Sequence, residues 1–152
     1  MTHTTVATYG DIAHVALNAR GADVQEVDRA TGLSVLAAMR YSAEVSDEVN
    51  VIRDDDGVPF CIYGCATNPE DASQGVPWMI ATDRLKRNRK FFHWVAVNWH
   101  HHLLSRYERL ANYADADNTQ SLRWLASLGY TIDPPVINER GFPIRRFHQC
   151  AS

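Results

Sequence analysis

Apolar positions recur at helical spacing at the start of the chain. Ile12, Val15, Ala16 and Leu17 share one face between residues 9 and 20, and predict a first helix with Gly21 as its stop. A second set, Leu33, Leu36, Ala37 and residues 39–41, follows Thr31 as a candidate cap and predicts a second short helix ending before Ser46. The period then changes. Val49, Val51 and Ile52, the acidic stretch Asp54, Asp55 and Asp56 with Gly57, and the apolar run 58–66 form the strongest hairpin signal, because Gly57 supplies positive φ at the turn. Turn-forming residues from Asn68 to Gly75 predict a loop. Residues 77–82 predict a short strand that runs directly into the longest helix, about residues 84–109, whose stripe is Phe92, Ala96, Trp99, Leu103 and Leu110. Residues 110–114 read as a strand, 118–128 as a helix stopped by Gly129, and 144–148 as a last strand. This order predicts an α+β protein, a mixed and mostly antiparallel central sheet flanked by helices, with at least one crossover long enough to be parallel.

Composition narrows the class. A chain of 152 residues, 45% hydrophobic, fits one core and one domain over residues 1–152. Its formal charge of −3 supplies no global attraction to nucleic acid or anionic membrane. No apolar run approaches the roughly 18 residues of a membrane span, and residues 1–10 lack the basic start and apolar run of a leader, so the chain is expected to stay where it is made. Cys61, Cys65 and Cys150 are an odd, sparse set that suits a reducing compartment. Cys61 and Cys65 would share a strand face about 13 Å apart along it, beyond bonding reach, and read as plain thiols. No metal site is expected. The three aspartates belong to a turn, and His100, His101 and His102 span about 200° of helix, which makes them an exposed patch rather than a ligand set; only His93 and His100 share a face. Trp78, Trp94, Trp99 and Trp124 are expected to pack helix against sheet.

Asn118 opens a helix that buries Leu122 and Leu125 and closes on Gly129 and Tyr130. This segment resembles the last motif of the GNAT acetyl-CoA-dependent acyltransferases. Residues 8–12, residues 75–83 with the basic stretch after them, residues 110–121, and the Pro134, Pro135, Arg146 and Phe147 positions extend the likeness nearly end to end, to the GNAT-like internal-virion proteins of short-tailed bacteriophages. The resemblance implies a GNAT fold, other virion proteins as partners, no membrane, and residence in the host cytoplasm during infection or inside the virion. It also implies that acetyl-CoA or CoA lies between strands 78–82 and 110–114, with Ile80, Ala81, Thr82, Arg84, Arg87, Asn88, Arg89 and Asn118 as cofactor-binding residues.

Two departures from the family pattern bear on activity. Residues 82–90 carry five cations, Arg84, Lys86, Arg87, Arg89 and Lys90, but lack the glycines that let a backbone approach a pyrophosphate closely. Position 125, where the family commonly places an acidic tyrosine, is leucine; Tyr113 and Tyr130 are the catalytic candidates left, with Tyr107 beside them. The resemblance implies a virion or assembly component on a GNAT scaffold, and these departures predict weak or no acyltransferase activity for it. The alternative is an active N-acyltransferase that uses acetyl-CoA to modify a host or phage amine. Nucleic-acid binding by residues 84–90 ranks below both, and the arginines of the 140–146 hairpin are the expected partner surface. Each of these expectations needs the strands of Ile80 and Asn112 to run parallel, side by side, and then part.

Overall fold

A computed structural model describes residues 2–152. The elements run β1 (His3–Val6), α1 (Tyr9–Leu17), α2 (Gly21–Thr31), α3 (Val35–Val45), β2 (Ser46–Arg53), β3 (Pro59–Asn68), β4 (Asp71–Ala81), α4 (Arg89–Arg106), β5 (Arg109–Asp115), α5 (Thr119–Ser127), β6 (Thr131–Ile132), β7 (Val136–Ile137) and β8 (Pro143–Cys150). All eight strands join one sheet in the order β1-β2-β3-β4-β5-β8-β6, with β7 also on β8. Every pairing is antiparallel except β4 with β5. The mixed sheet expected from the hydrophobic pattern is therefore present, and its one parallel contact is the one on which the functional reading depends.

Alternation along the strands sends side chains to two layers. Val51, Ile62 and Ile80 pack under α1 and α3 with Ile12, Val15, Val35 and Met39. Ile52, Cys61, Tyr63 and Ala81 face the other way, against Phe92 and Val95 of α4. Beyond β5, Leu110, Leu122, Leu125, Tyr130 and Phe147 close the core between α4, α5 and β8. Phe60, Met39, Ile62 and Leu103 are fully buried, each contributing on the order of 1.5–3 kcal/mol of hydrophobic stabilisation. Cys61 and Cys65 are buried free thiols, and burial holds Cys65 up at about 12.

Local chemistry explains the departures from the sequence pattern. Gly21 begins a helix instead of ending one; α2 ends at Gly32, whose φ of 72° provides the left-handed cap. The cap of α3 is Ser34, which accepts from the Ala37 amide, while the Thr31 hydroxyl bonds back to Val27 O and closes α2. The expected loop 68–75 is largely strand, because β4 turns tightly at Asn68 and pairs with β3 from Asp71 onward. The helix expected from residue 84 starts at Arg89. Residues Asp83–Arg87 form a 3₁₀ turn instead, capped by the Thr82 hydroxyl and held by Arg84 against Asp54 of the β2–β3 turn at 2.6 Å. His100 is buried, bonded through Nε2 to Gln149 Oε1 and edge-on to the Tyr130 ring, so only His101 and His102 of the three keep the expected exposure. Trp94 is exposed rather than packed in the core.

Candidate active site

The parallel contact between β4 and β5 is short. Gln74 pairs with Arg109 and Gly75 with Leu110, and the two strands then diverge toward Ala81 and Asp115. Gly75 permits the close approach, since a Cβ there would lie 2.7 Å from the Tyr107 ring and 2.9 Å from Cys65 Sγ. The reason for the parting is two residues further on. Thr82 N–H donates to Phe60 O, which sets the even positions of β4 toward β3 and the odd ones toward β5. Pro77 falls on the β5 side and has no N–H to give a ladder. Its carbonyl instead accepts from Asn112 Nδ2 at 2.8 Å, a side chain spanning the widening gap. Next along that edge, the Met79 peptide faces the gap with no strand to pair it.

At the far end the gap is crossed by α2. Ala81 N–H donates to Asp23 Oδ2 at 2.9 Å, and Ala81 O accepts from Arg20 N at 2.9 Å. One helical turn later, Glu26 Oε1 accepts from Asp115 N–H of β5 at 2.6 Å. The space enclosed, about 570 Å³, passes between the strands and reaches both faces of the sheet. Glu26, Met39 and Ser42 line it on one side; Phe92, Ala96, Trp99 and Trp124 line it on the other.

The carboxylates at this mouth differ in charge balance. Asp23 is buried and paired with Arg20 at 2.9 Å, and Asp115 lies 3.4 Å from Arg29, which also holds Asp117 at 2.7 Å. Glu26 joins no ion pair among the described residues. Burial pushes its carboxyl up to about 7; the Asp115 amide opposes the rise, the charges of Asp23 and Asp115 reinforce it, and the Arg20 charge slightly opposes it. Neither Asp23 nor Glu26 is evident from the hydrophobic pattern, because Gly21 suits a helix stop and α2 carries too few apolar residues to announce itself.

Of the residues expected to hold a cofactor, Ile80 and Arg89 line this gap; Ala81, Thr82, Arg84, Arg87, Asn88 and Asn118 are not among its lining residues. Ile80, Ala81 and Thr82 form the end of β4, although Ala81 is tied to α2. Arg84 is engaged by Asp54, whereas Lys86, Arg87, Arg89 and Lys90 are exposed and join no ion pair among the described residues. Asn88 precedes α4 without capping it; its side chain donates to Arg84 O, so the first-turn amides of an 18-residue helix stay open beside those four cations. Asn118 caps α5 on Ser121 N and leaves Nδ2 buried without a partner. Of the tyrosines, Tyr113 is half exposed on the cavity wall; Tyr130 is buried, which pushes its phenol upward and disfavours proton donation near neutral pH. Tyr107 shares its hydroxyl with Thr67 at 2.8 Å. In the 140–146 hairpin, Arg140 is exposed with its guanidinium over Gly32, and the half-buried Arg145 donates to Asp133 O.

Among the described residues no helix is long and apolar enough to cross a membrane, and no cluster of three metal-ligating side chains occurs. No family profile matches the sequence, and no curated protein matches it in sequence. Solved structures do match over its whole length. A GNAT superfamily phosphinothricin acetyltransferase from Sinorhizobium meliloti, in complex with AcCoA, superposes with a TM-score of 0.73 at 8% identity, over 99% of this chain and 89% of that one. An N-acetyltransferase from Staphylococcus aureus Mu50 gives 0.72 at 8% identity, over 100% and 99%. The aminoglycoside acetyltransferase AAC(6')-Ib, in complex with coenzyme A, gives 0.70 at 13% identity, over 99% and 95%. The fold is that of the GNAT acetyltransferases.

Proposed function

We propose that the protein is an N-acyltransferase that moves the acyl group of acetyl-CoA to an amine. The observation that carries this reading is the split between β4 and β5, a gap lined on one side by aromatic rings and on the other by an unpaired carboxyl. The residues present suit the cofactor: an apolar slot for a thin arm, an unpaired Met79 peptide along it, and the open α4 amino terminus with Lys86, Arg87, Arg89 and Lys90 for the phosphates. Positive side chains there stand in for the missing glycines. Bound acetyl-CoA supplies an activated acyl group and a thiol leaving group.

The chain's own contribution is acid–base and positional. Glu26 Oε1 is fixed by the Asp115 amide, which leaves Oε2 to take a proton from a substrate ammonium. A carboxyl near 7 is matched to that task at neutral pH. The Met79 N–H is a donor to charge developing on a carbonyl oxygen, and Asn112 keeps the two walls at a set spacing. The acceptor enters from the α2 side, where Asp23, Glu26, Asp115 and Asp117 favour a cationic amine. The test is amine-dependent release of free CoA thiol from acetyl-CoA across a panel of polyamines and amino sugars. Turnover lost in Glu26→Gln supports the reading; no release with any amine removes it.

A second reading is favoured by two observations. Asp23 and Arg20 occupy the backbone of Ala81 at the end of β4, and leucine stands at position 125. On that reading the chain is one GNAT-like domain serving as a bacteriophage virion or assembly component with little or no transfer activity, held by other virion proteins. Its support is the likeness in residues 8–12, 75–83 and 110–121. Mass spectrometry of purified particles tests it: presence in mature particles at fixed copy number supports it, and restriction to the infected-cell lysate contradicts it.

A further inference from the structure

Arg29 lies one turn after Glu26 on α2 and joins three parts of the chain. Its Nη1 donates to both carboxylate oxygens of Asp115, at 3.4 Å each, and to Asp117 Oδ2 at 2.7 Å. Its guanidinium stands over the Phe142 ring, 5.2 Å from the centroid, and its carbonyl accepts from Asn138 Nδ2 at 3.1 Å. Phe142 and Asn138 belong to the turn between β7 and β8, so α2, the end of β5 and that turn meet at one side chain. Its two acidic partners differ in exposure. Asp117 keeps 62% of its side chain in water, where an ion pair contributes little, whereas Asp115 keeps 4%. A carboxylate buried to that degree needs a cation, and Arg29 is the one paired with it among the described residues.

Asp115 bears on the site because its amide holds Glu26 Oε1. Its backbone bond and its side-chain charge act on the Glu26 proton in opposite directions. After burial, the charges that act on Glu26 are Asp23, Asp115 and Arg20. Asp23 is balanced by Arg20, and Asp115 by Arg29. From α3, Ala38, Met39 and Ser42 bring no charge to the cavity; α4 brings Arg89, His93 and His100. The phenols there are Tyr63, Tyr113 and Tyr130. We propose that Arg29 is the positioning residue of this site: it ties the end of β5 to α2 and balances Asp115, so that Glu26 is held by the Asp115 amide without facing an uncompensated neighbouring charge. The inference rests on the acyltransferase reading above, in which Glu26 is the base. Arg29 does not line the cavity; it acts through Asp115.

The test is the titration of the Glu26 carboxyl carbon in ¹³C-labelled protein, its resonance assigned by disappearance in Glu26→Gln. Arg29→Gln leaves the Asp115 charge unbalanced and should raise the midpoint by about one pH unit above the wild-type value of about 7. Asp115→Asn keeps the amide that holds Glu26 and leaves Arg29 in excess, so the midpoint should fall by a similar amount. If Arg29→Gln does not fold, the double variant with Asp115→Asn buries no unpaired charge there and should bring the midpoint back up from its Asp115→Asn value. An Arg29 that only braces the fold predicts the opposite sign: the end of β5 loosens, water reaches Glu26, and the Arg29→Gln midpoint falls toward 4.5. That fall, an unmoved midpoint in Arg29→Gln, or a double variant no different from Asp115→Asn overturns the inference. The rising limb of the pH–rate profile should move with the same signs. The expected carboxyl shifts in a protein that releases no CoA thiol with any amine support the role of Arg29 and remove the acyltransferase reading. Turnover with an unmoved midpoint does the reverse.

Discussion

Asp23 and Glu26, one turn apart on α2, accept backbone N–H groups from two different strands: Asp23 from Ala81 of β4 and Glu26 from Asp115 of β5. The helix thereby straps the open end of a gap that Pro77 begins. The two carboxylates do different work. Both line the cavity, but Asp23 is paired with Arg20, whereas Glu26 joins no ion pair among the described residues.

Asp23→Ala should remove the strap on β4. The substitution strands the Ala81 amide and leaves Arg20 without its carboxylate, at a cost of about 2–4 kcal/mol. Asp23→Asn retains one acceptor for Ala81 and should lose less. Urea unfolding of the two variants beside the wild type checks the order; equal midpoints for all three would show that the strap contributes nothing.

Glu26 links activity and stability to pH with opposite signs. Its folded carboxyl titrates near 7 against an ordinary 4.5, so the folded state binds the extra proton between those values. Stability from this group is full below about pH 4.5 and falls as pH rises through 7, by at most roughly 3 kcal/mol. The base form grows over the same interval, so turnover should rise with a midpoint near 7. Glu26→Gln should remove that limb, lower kcat/KM by about 10²–10⁴, and leave the protein more stable than wild type at pH 8. Parallel pH–rate profiles and thermal melts from pH 5 to 8 check both signs.

Gly75→Ala should be costly although the position lies in a strand. The new Cβ would collide with the Tyr107 ring and with Cys65 Sγ, and neither can withdraw from the core without disturbing the only parallel contact in the sheet. A loss of about 1–3 kcal/mol is expected, with weaker CoA binding because the spacing of β4 and β5 changes. Chemical denaturation and calorimetry on the same variant read the two effects separately.

The parts legible in the sequence are those encoded by local patterns. Gly57 and Gly129 punctuate their turns with positive φ, Asn118 caps α5, and the run from Pro77 into a helix marks a strand that must be crossed over to reach β5 in parallel. The rest depends on partners distant along the chain. His100 is buried because Gln149, 49 residues later, offers it an acceptor, and Arg84 leaves the expected helix because Asp54 draws it into a separate turn. Helix α2 was hidden for a related reason. Its segment carries few apolar residues, and its place is set by Asp23 and Glu26 bonding to strand ends that the sequence does not announce. Glu26 owes its position to Asp115, 89 residues later, a partner that no local pattern reveals.

Calorimetric titration of the purified protein with CoA tests most directly whether the gap between β4 and β5 is a thioester site. Saturable micromolar binding is expected, weakened by Arg87→Ala and Arg89→Ala, whose cations are free, and less affected by Arg84→Ala, whose guanidinium is held by Asp54. Absence of heat at millimolar CoA, or binding indifferent to Arg87 and Arg89, would contradict it.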